Sequence, residues 1–480
     1  MVERILLAVA TIVAALAVLN RDRWLAKLGM QKSWVSVLLG LAAVIAFGAS
    51  VWMSVDDHQG KTRYRELLIQ TKAQLDSQDV LVRRLQLQSS LQGLPTKVSP
   101  SMPANRSGAA DLNSTRKLGF GLLARLVADS ATKNVVVSPV SVEMCLALAA
   151  NGGAGKTKSE MAGILGTSAA ALDAVNEANA AMLATLAGSS GPAELTIANS
   201  VWGRKGVEFT KPFLDLCSQD YSASAKIVDF ASPTAVLKIN GWVSDKTHGL
   251  IKTIVESFGA DDVALLLSAV HFQSKWAEPF DPRLTSTRPF HLFSGSRVER
   301  QMMMQHGDFG YLETSSFLAV ALPFVHNRFC LYVFVPRAAN GLPSFVKKLS
   351  DDKWQAWMSG FRPEDINLSL PKFRLEYETD LKPSLTAMGM TTAFDPAHAD
   401  FTPMVAKSPL RPVWLSGAKH KVFVEVDEEG ARAAATSGFG EYGADAEPRD
   451  VVVDRPFFFA ITDTWSGAML FMGVVYDPPQ

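Results

Sequence analysis

Three cysteines in 480 residues cannot build a disulfide framework of the kind that staples small secreted domains. Cys145, Cys217 and Cys330 stand far apart, with no CxxC and no Cys/His spacing, so no structural zinc site is indicated either. Cys145 and Cys330 lie in apolar runs, which predicts buried free thiols. An excess of one charge is also missing, since 47 basic residues face 47 acidic ones. Without a basic stripe, nucleic-acid binding has no support. The eight histidines form no His-Glu-x-x-His, and no Gly-x-Ser-x-Gly elbow joins a strand to a helix. Triads are spatial and stay open, but nothing favours one, so we expect no enzyme, no metal and no cofactor.

Apolar residues make up 48% of the chain, and part of that excess sits at the N-terminus. Trp34 to Val55 carries no charge until Asp56, a run of about 20 residues that suffices to cross a bilayer. Ile5 to Leu19 reads either as a second, marginal span or as a signal-like segment. Between them lie Arg21, Arg23, Lys27 and Lys32 against one acid, Asp22. The positive-inside tendency then keeps that connection cytoplasmic and puts everything after Val55 outside, in the periplasm or the extracellular space. Residues 1–55 are thus expected to be a membrane anchor. Residues 56–93 read as a helical stalk, with Tyr64, Leu68, Leu75, Val82 and Leu85 on a heptad seam that Thr71 and Gln78 interrupt. A dimerising coiled coil is the sharper reading of that seam. Pro95, Pro100, Pro103 and Gly108 make residues 94–110 a linker, and a globular domain occupies residues 111–480.

Within the domain, Ser138-Pro139 opens a helix, as an N-cap followed by a proline at the first helical position. The helix Val140 to Ala150 is apolar all round, which predicts burial. Ala150 to Thr157 is nearly a phosphate-binding loop, lacking only its first glycine. Such a loop follows a strand, whereas this segment follows a helix, so nucleotide binding through Lys156 ranks third among the readings. Asn199-Ser200-Val201-Trp202 is expected to open a strand, and Val263 to Phe272 to be a strand covered on both faces. Val422, Val424 and Val426 alternate with Phe423, Glu425 and Asp427 as a strand does. A Gly-rich polar loop of about 428–450 follows, and Val451-Val452-Val453 reads as strand again. Laid out as a strand, the loop's first part puts Ala431, Ala433, Ala435 and Ser437 on one face, all small, and Arg432, Ala434 and Thr436 on the other. The first face could slide into a packed sheet without displacing a neighbour.

Glu428-Glu429-Gly430 followed by this small-residue run resembles the reactive-centre hinge of serpins. Further matches are Lys275-Trp276-Ala277-Glu278-Pro279-Phe280, Leu370-Pro371-Lys372-Phe373, Arg455-Pro456-Phe457-Phe458 and Leu470 to Val475, and the resemblance covers Asp111 to Pro478. It implies an α+β serpin-like fold with three β-sheets and about nine helices, here preceded by transmembrane and stalk helices that are unusual for the family. It implies a suicide inhibitor whose partner is a serine or cysteine protease. The hinge would span Glu428, Glu429, Gly430, Ala431, Arg432, Ala433, Ala434, Ala435 and Thr436. Counting along the loop puts the reactive bond at Ala444-Asp445, or one residue later, with Tyr442 and Arg449 as outside choices. The resemblance also implies a shutter below the sheet opening, where His420 shares hydrogen bonds with Ser138 and Ser141, and Trp276 stands at the opening. Ser268 replaces the usual asparagine, so a partner reaching further, or a water, is expected there. Read without the resemblance, Lys419-His420-Lys421 is an exposed basic turn. Arg432, where inhibitory members carry glutamate, leaves a second reading: a non-inhibitory serpin-fold binding or chaperone protein tethered to a membrane.

Overall fold

Nine α-helices and sixteen strands form the described part of the chain. The computed structural model describes residues 112–187, 194–408, 412–429 and 447–479. The anchor, stalk and linker expected over residues 1–110 lie outside the described residues, as do residues 430–446 of the loop. Among the described residues no helix is long and apolar enough to cross a membrane. In chain order the helices are α1 (Leu112–Asp129), α2 (Pro139–Gly152), α3 (Gly155–Ile164), α4 (Leu172–Ala187), α5 (Lys211–Gln219), α6 (Thr234–Lys246), α7 (Leu342–Lys347), α8 (Asp351–Gly360) and α9 (Lys382–Ala387). The first strands are β1 (Val135–Val137), β2 (Glu194–Arg204), β3 (Glu208–Phe209), β4 (Ser224–Val228), β5 (Ala264–Gln273), β6 (Ser286–His291), β7 (Arg297–Glu313) and β8 (Phe317–Pro323). The remainder are β9 (Phe329–Pro336), β10 (Arg362–Pro371), β11 (Phe373–Asp380), β12 (Val405–Lys407), β13 (Leu415–Val426), β14 (Arg449–Val452), β15 (Phe457–Asp463) and β16 (Met469–Val475).

The strands make three sheets among the described residues: nine strands in one, five in another and the short pair β3–β12. The five-stranded sheet runs in the order β11-β13-β5-β2-β4. Its central strand β5 is buried along its length except at Gln273. Ala264, Leu266, Val270 and Phe272 join the main core, while Leu265, Leu267 and Ala269 join a smaller cluster with Ile239 and Val243 of α6. The period of two therefore sends alternate side chains to two separate cores. Each fully buried Leu, Val or Phe contributes roughly 1.5–3 kcal/mol of transfer free energy, so both faces hold the strand in place.

Helix α2 passes beneath this sheet with every residue but Asn151 buried. That is why its sequence shows no polar face. In the nine-stranded sheet β15 and β16 pair antiparallel and are buried throughout. Gly473 is required there, because a Cβ at that position would lie 2.6 Å from the Val135 carbonyl oxygen of β1. β14 is an edge strand lying parallel to β10, with Val451 buried and Val452 exposed, so the loop returns to a sheet margin rather than to a core strand. Asn199-Ser200-Val201-Trp202 lies in the middle of β2 and does not open it, since the strand already begins at Glu194. All three cysteines are buried and free, and burial pushes each thiol up to about 12.

Candidate functional site

β5 and β13 meet in parallel, from Leu415 opposite Ala264 to Val424 opposite Phe272. Halfway along this seam His420 stands opposite Ser268. Below it, the start of α2 is fixed by Ser138, whose hydroxyl accepts from the Ser141 N–H at 3.4 Å, with Pro139 at the first helical position. The Ser138 backbone N–H donates to His420 Nε2 at 3.1 Å. A backbone N–H can only donate, so Nε2 is bare and the ring proton sits on Nδ1. Nδ1 then donates to Ser268 Oγ at 3.1 Å. Ser141 gives its one hydroxyl proton to Asn199 Oδ1 at 3.1 Å, so at the 2.6 Å contact between the two serines Ser268 is the donor. The chain of donors runs one way through β13, β5, α2 and β2. All five residues are buried. Burial pushes His420 down to about 4, against the opposing effect of its bond to Ser268, so the ring is neutral at ordinary pH. Because Nδ1 gives its proton to the serine, the pair is not a base beside a nucleophile.

These contacts set aside one alternative for His420 and correct the sequence reading in two places. Lys419-His420-Lys421 is no exposed turn: His420 is in the core, and the Lys421 ammonium sits between Glu376 at 2.8 Å and Glu378 at 3.1 Å. Ser268 touches both its partners directly, without a bridging water. The missing asparagine is supplied by Asn199, the cross-strand partner of Ser268 on β2. A polar side chain in register with Ser268 was the signal that could have found it.

The upper end of the seam is closed by side chains. Beyond Phe272 the strands diverge, and Trp276 Nε1 donates to the Asp427 carbonyl at 2.7 Å. The indole stacks on Phe324 with ring centroids 4.4 Å apart, and the Phe280 N–H donates to the Glu428 carbonyl at 3.0 Å. The Glu428 carboxylate accepts from Thr285 Oγ1 at 2.7 Å and meets Lys372 Nζ at 2.7 Å. Burial opposes its ionisation, but Lys372 and Thr285 together outweigh that and hold the carboxyl below its ordinary value. The first hinge residue is thus pinned from β11's approach and from the turn after Phe280, two partners the sequence reading did not assign. Glu429 follows, exposed, its N–H donating to Asp427 Oδ1 at 3.1 Å. Gly430, Ala431, Arg432, Ala433, Ala434, Ala435, Thr436, Ala444 and Asp445 lie outside the described residues. Arg449 is not displayed on a loop: it opens β14, with its guanidinium 3.1 Å from Glu313 and 3.4 Å from Glu364.

The phosphate-loop reading fails on topology. Gly155 opens α3 directly after α2, with no strand before it, and Lys156 is exposed and paired with Glu160 at 3.6 Å.

A model of the serpin (serine protease inhibitor) family matches residues 113–478. Human Serpin B9 is 31% identical over 377 residues, covering 76% of this chain and 99% of that protein. The leukocyte elastase inhibitor of Xenopus tropicalis is 30% identical over 378 residues, covering 75% and 97%. Among solved structures, the thermophilic serpin tengpin in its native state superposes with a TM-score of 0.71 at 27% identity, covering 78% of this chain and 96% of its own. Such relatives support a protease-inhibitor role with a target protease as partner. The chain belongs to the serpin family.

Proposed function

We propose that the chain is a suicide inhibitor of a serine or cysteine protease, with its bait on the segment between β13 and β14. The seam carries this reading. β11–β13 and β5–β2 are antiparallel pairs, but β5 and β13 run parallel. A strand doubling back after Val426 would run antiparallel to both, exchanging one parallel ladder for two antiparallel ones, the slightly more stable pairing. The face of Ala431, Ala433, Ala435 and Ser437 is small enough to enter between Val422 and Val424 of β13 and Leu266 and Val270 of β5. In the proposed sequence the protease nucleophile attacks the carbonyl carbon of Ala444, forming an acyl-enzyme and releasing the amine of Asp445. Ala444 suits a protease with a small primary pocket. Cleavage frees the hinge, the alanine tract inserts, and the tethered protease is carried along before it can deacylate.

The test is incubation with a panel of extracellular proteases, read on a denaturing gel. A covalent adduct, with the released peptide beginning at Asp445 or Ala446, is the expected result. Cleavage without an adduct favours the second reading, a serpin-fold binding or chaperone protein. That reading draws on Arg432, on Glu441, which an inserted strand would turn to the same face as Ala435, and on Gly438, Gly440 and Gly443, which are poor strand formers. A thermal melt before and after cleavage then distinguishes an inserting loop from a static one. We further propose that residues 34–55 anchor the protein with the serpin domain on the extracytoplasmic side, supported by the apolar run and the four basic residues before it.

A further inference from the structure

The seam holds a second histidine, on the opposite face of the sheet. His271 is fully buried in β5, and neither ring nitrogen has a hydrogen-bond partner. Its neighbours in register are Phe423 of β13 and Thr196 of β2. Leu265, Leu267 and Ala269 point to the α6 side with Phe423, so the alternation sends His271 there too, away from the hydrogen-bonded chain around His420. That face is covered by α6 and by residues 247–263, whose Ile251, Ile254 and Val255 pack onto it. A neutral imidazole always carries one donor and one bare acceptor, and here neither meets a protein partner.

Charged groups approach this face from each side. Glu194 at the head of β2 pairs with His248, in the turn after α6, at 3.0 Å. On β13, Lys421 and Glu425 share the parity of Phe423, and Arg374 of β11 lies 4.9 Å from the Phe423 ring. Lys252 and Glu256 of the covering segment are exposed. Burial holds His271 below the usual histidine range, with Glu194 favouring its charged form and His248 opposing it.

We propose that His271 is a proton-operated release of the β5–β13 seam: protonation places an unpaired cation under residues 247–263, and the charge reaches water only when that cover lifts and the strands part. Acidification would therefore loosen the sheet through a group on the α6 face, independently of His420. Its consequence for trapping a protease rests on the proposed inhibitory function, but the opening itself does not.

Hydrogen exchange of the full chain, read by mass spectrometry from about pH 8 to 5 and corrected for intrinsic exchange rates, tests this. Peptides covering 247–263, 264–273 and 415–426 are expected to lose protection about tenfold or more toward the acid end. His271→Phe, and His271→Gln should the ring overpack, are expected to show only the shallower loss that His420 alone gives as pH falls from about 6.5 toward about 4. Glu194→Gln lowers the folded value further and so deepens the acid-side loss, whereas His248→Gln raises it and makes the loss shallower, changes that a purely structural role would not produce. An equal extent of loss in wild type and both His271 variants, or no loss at all in wild type, overturns the proposal. Failure to trap any protease, with the exchange response intact, would sink only the inhibitory reading.

Discussion

His420 is neutral in the fold because burial disfavours the charged ring, and a proton on Nε2 would also break the bond from the Ser138 N–H. Its folded value of about 4 lies below the ordinary 6.5, so between those values the unfolded chain binds more protons. Stability therefore rises with pH across that window; the contribution is complete above about 6.5 and lost below about 4, roughly 3 kcal/mol at 1.36 per unit. Glu143 acts in the opposite sense. Burial in α2 raises it from 4.5 to about 7, against its bond from Asn179, so stability is full below 4.5 and falls as pH rises through about 7. We expect Glu143→Gln to raise the unfolding free energy measured in urea at about pH 8, by up to roughly 3 kcal/mol and with it the midpoint, and to leave both unchanged at about pH 4. An unchanged midpoint at the alkaline end would mean that the carboxyl is already solvated there. At the hinge, Glu428→Ala should cost about 1–2 kcal/mol, because Thr285 and a half-exposed Lys372 lose their partner. A double-mutant cycle with Lys372→Ala should show coupling, and additive effects would mean that the pair holds nothing.

Elements carry the proposed motion, and the seam can be stapled to check it. Val270 and Val422 are register partners on the core face, with Cα atoms on the order of 5 Å apart, within disulfide reach. In a Val270→Cys, Val422→Cys protein the oxidised form should show no rise in melting temperature after loop cleavage, and reduction should restore the rise. A rise in the oxidised form would place the inserted strand elsewhere. Gly473→Ala should cost about 1–3 kcal/mol, since β1 must shift away from the new Cβ. Much at this scale was legible in the chain: the buried helix from its unbroken apolar run, β5 from its two-sided one, and β13 from alternation. What stayed illegible depended on neighbours distant in sequence. Asn199 gains its role only by standing opposite Ser268, and Lys372 and Thr285 gain theirs only where β13 leaves the sheet. The start of β2 was misplaced at the motif beginning with Asn199, although Leu195 and Ile197 already alternate with Glu194 and Thr196 as a strand does, and pairing with β5 runs from Glu194. His271 looked like one more residue of an apolar run; nothing in the sequence says that its ring nitrogens find no partner.

For the molecule as a whole, the proposed anchor and the serpin domain make separable predictions. The full chain should pellet with membranes and resist alkaline washing, whereas a chain beginning at Asp111 should remain in the supernatant; a full chain that washes off would remove the spanning reading. The main core starts at α1 and closes on β16, so its assembly waits on contacts between the two ends of the described chain, Val135 with Val474 among them. Such long-range pairing predicts slow folding. The three cysteines bear on how this fold meets its surroundings. No sulfur bridge ties one sheet to another, and each thiol stays protonated and out of reach. Oxidants and reductants therefore have nothing to lock or to cut, so the same energetics should govern the sheet on either side of a membrane. A compartment would reach this protein through its acidity rather than through its redox poise.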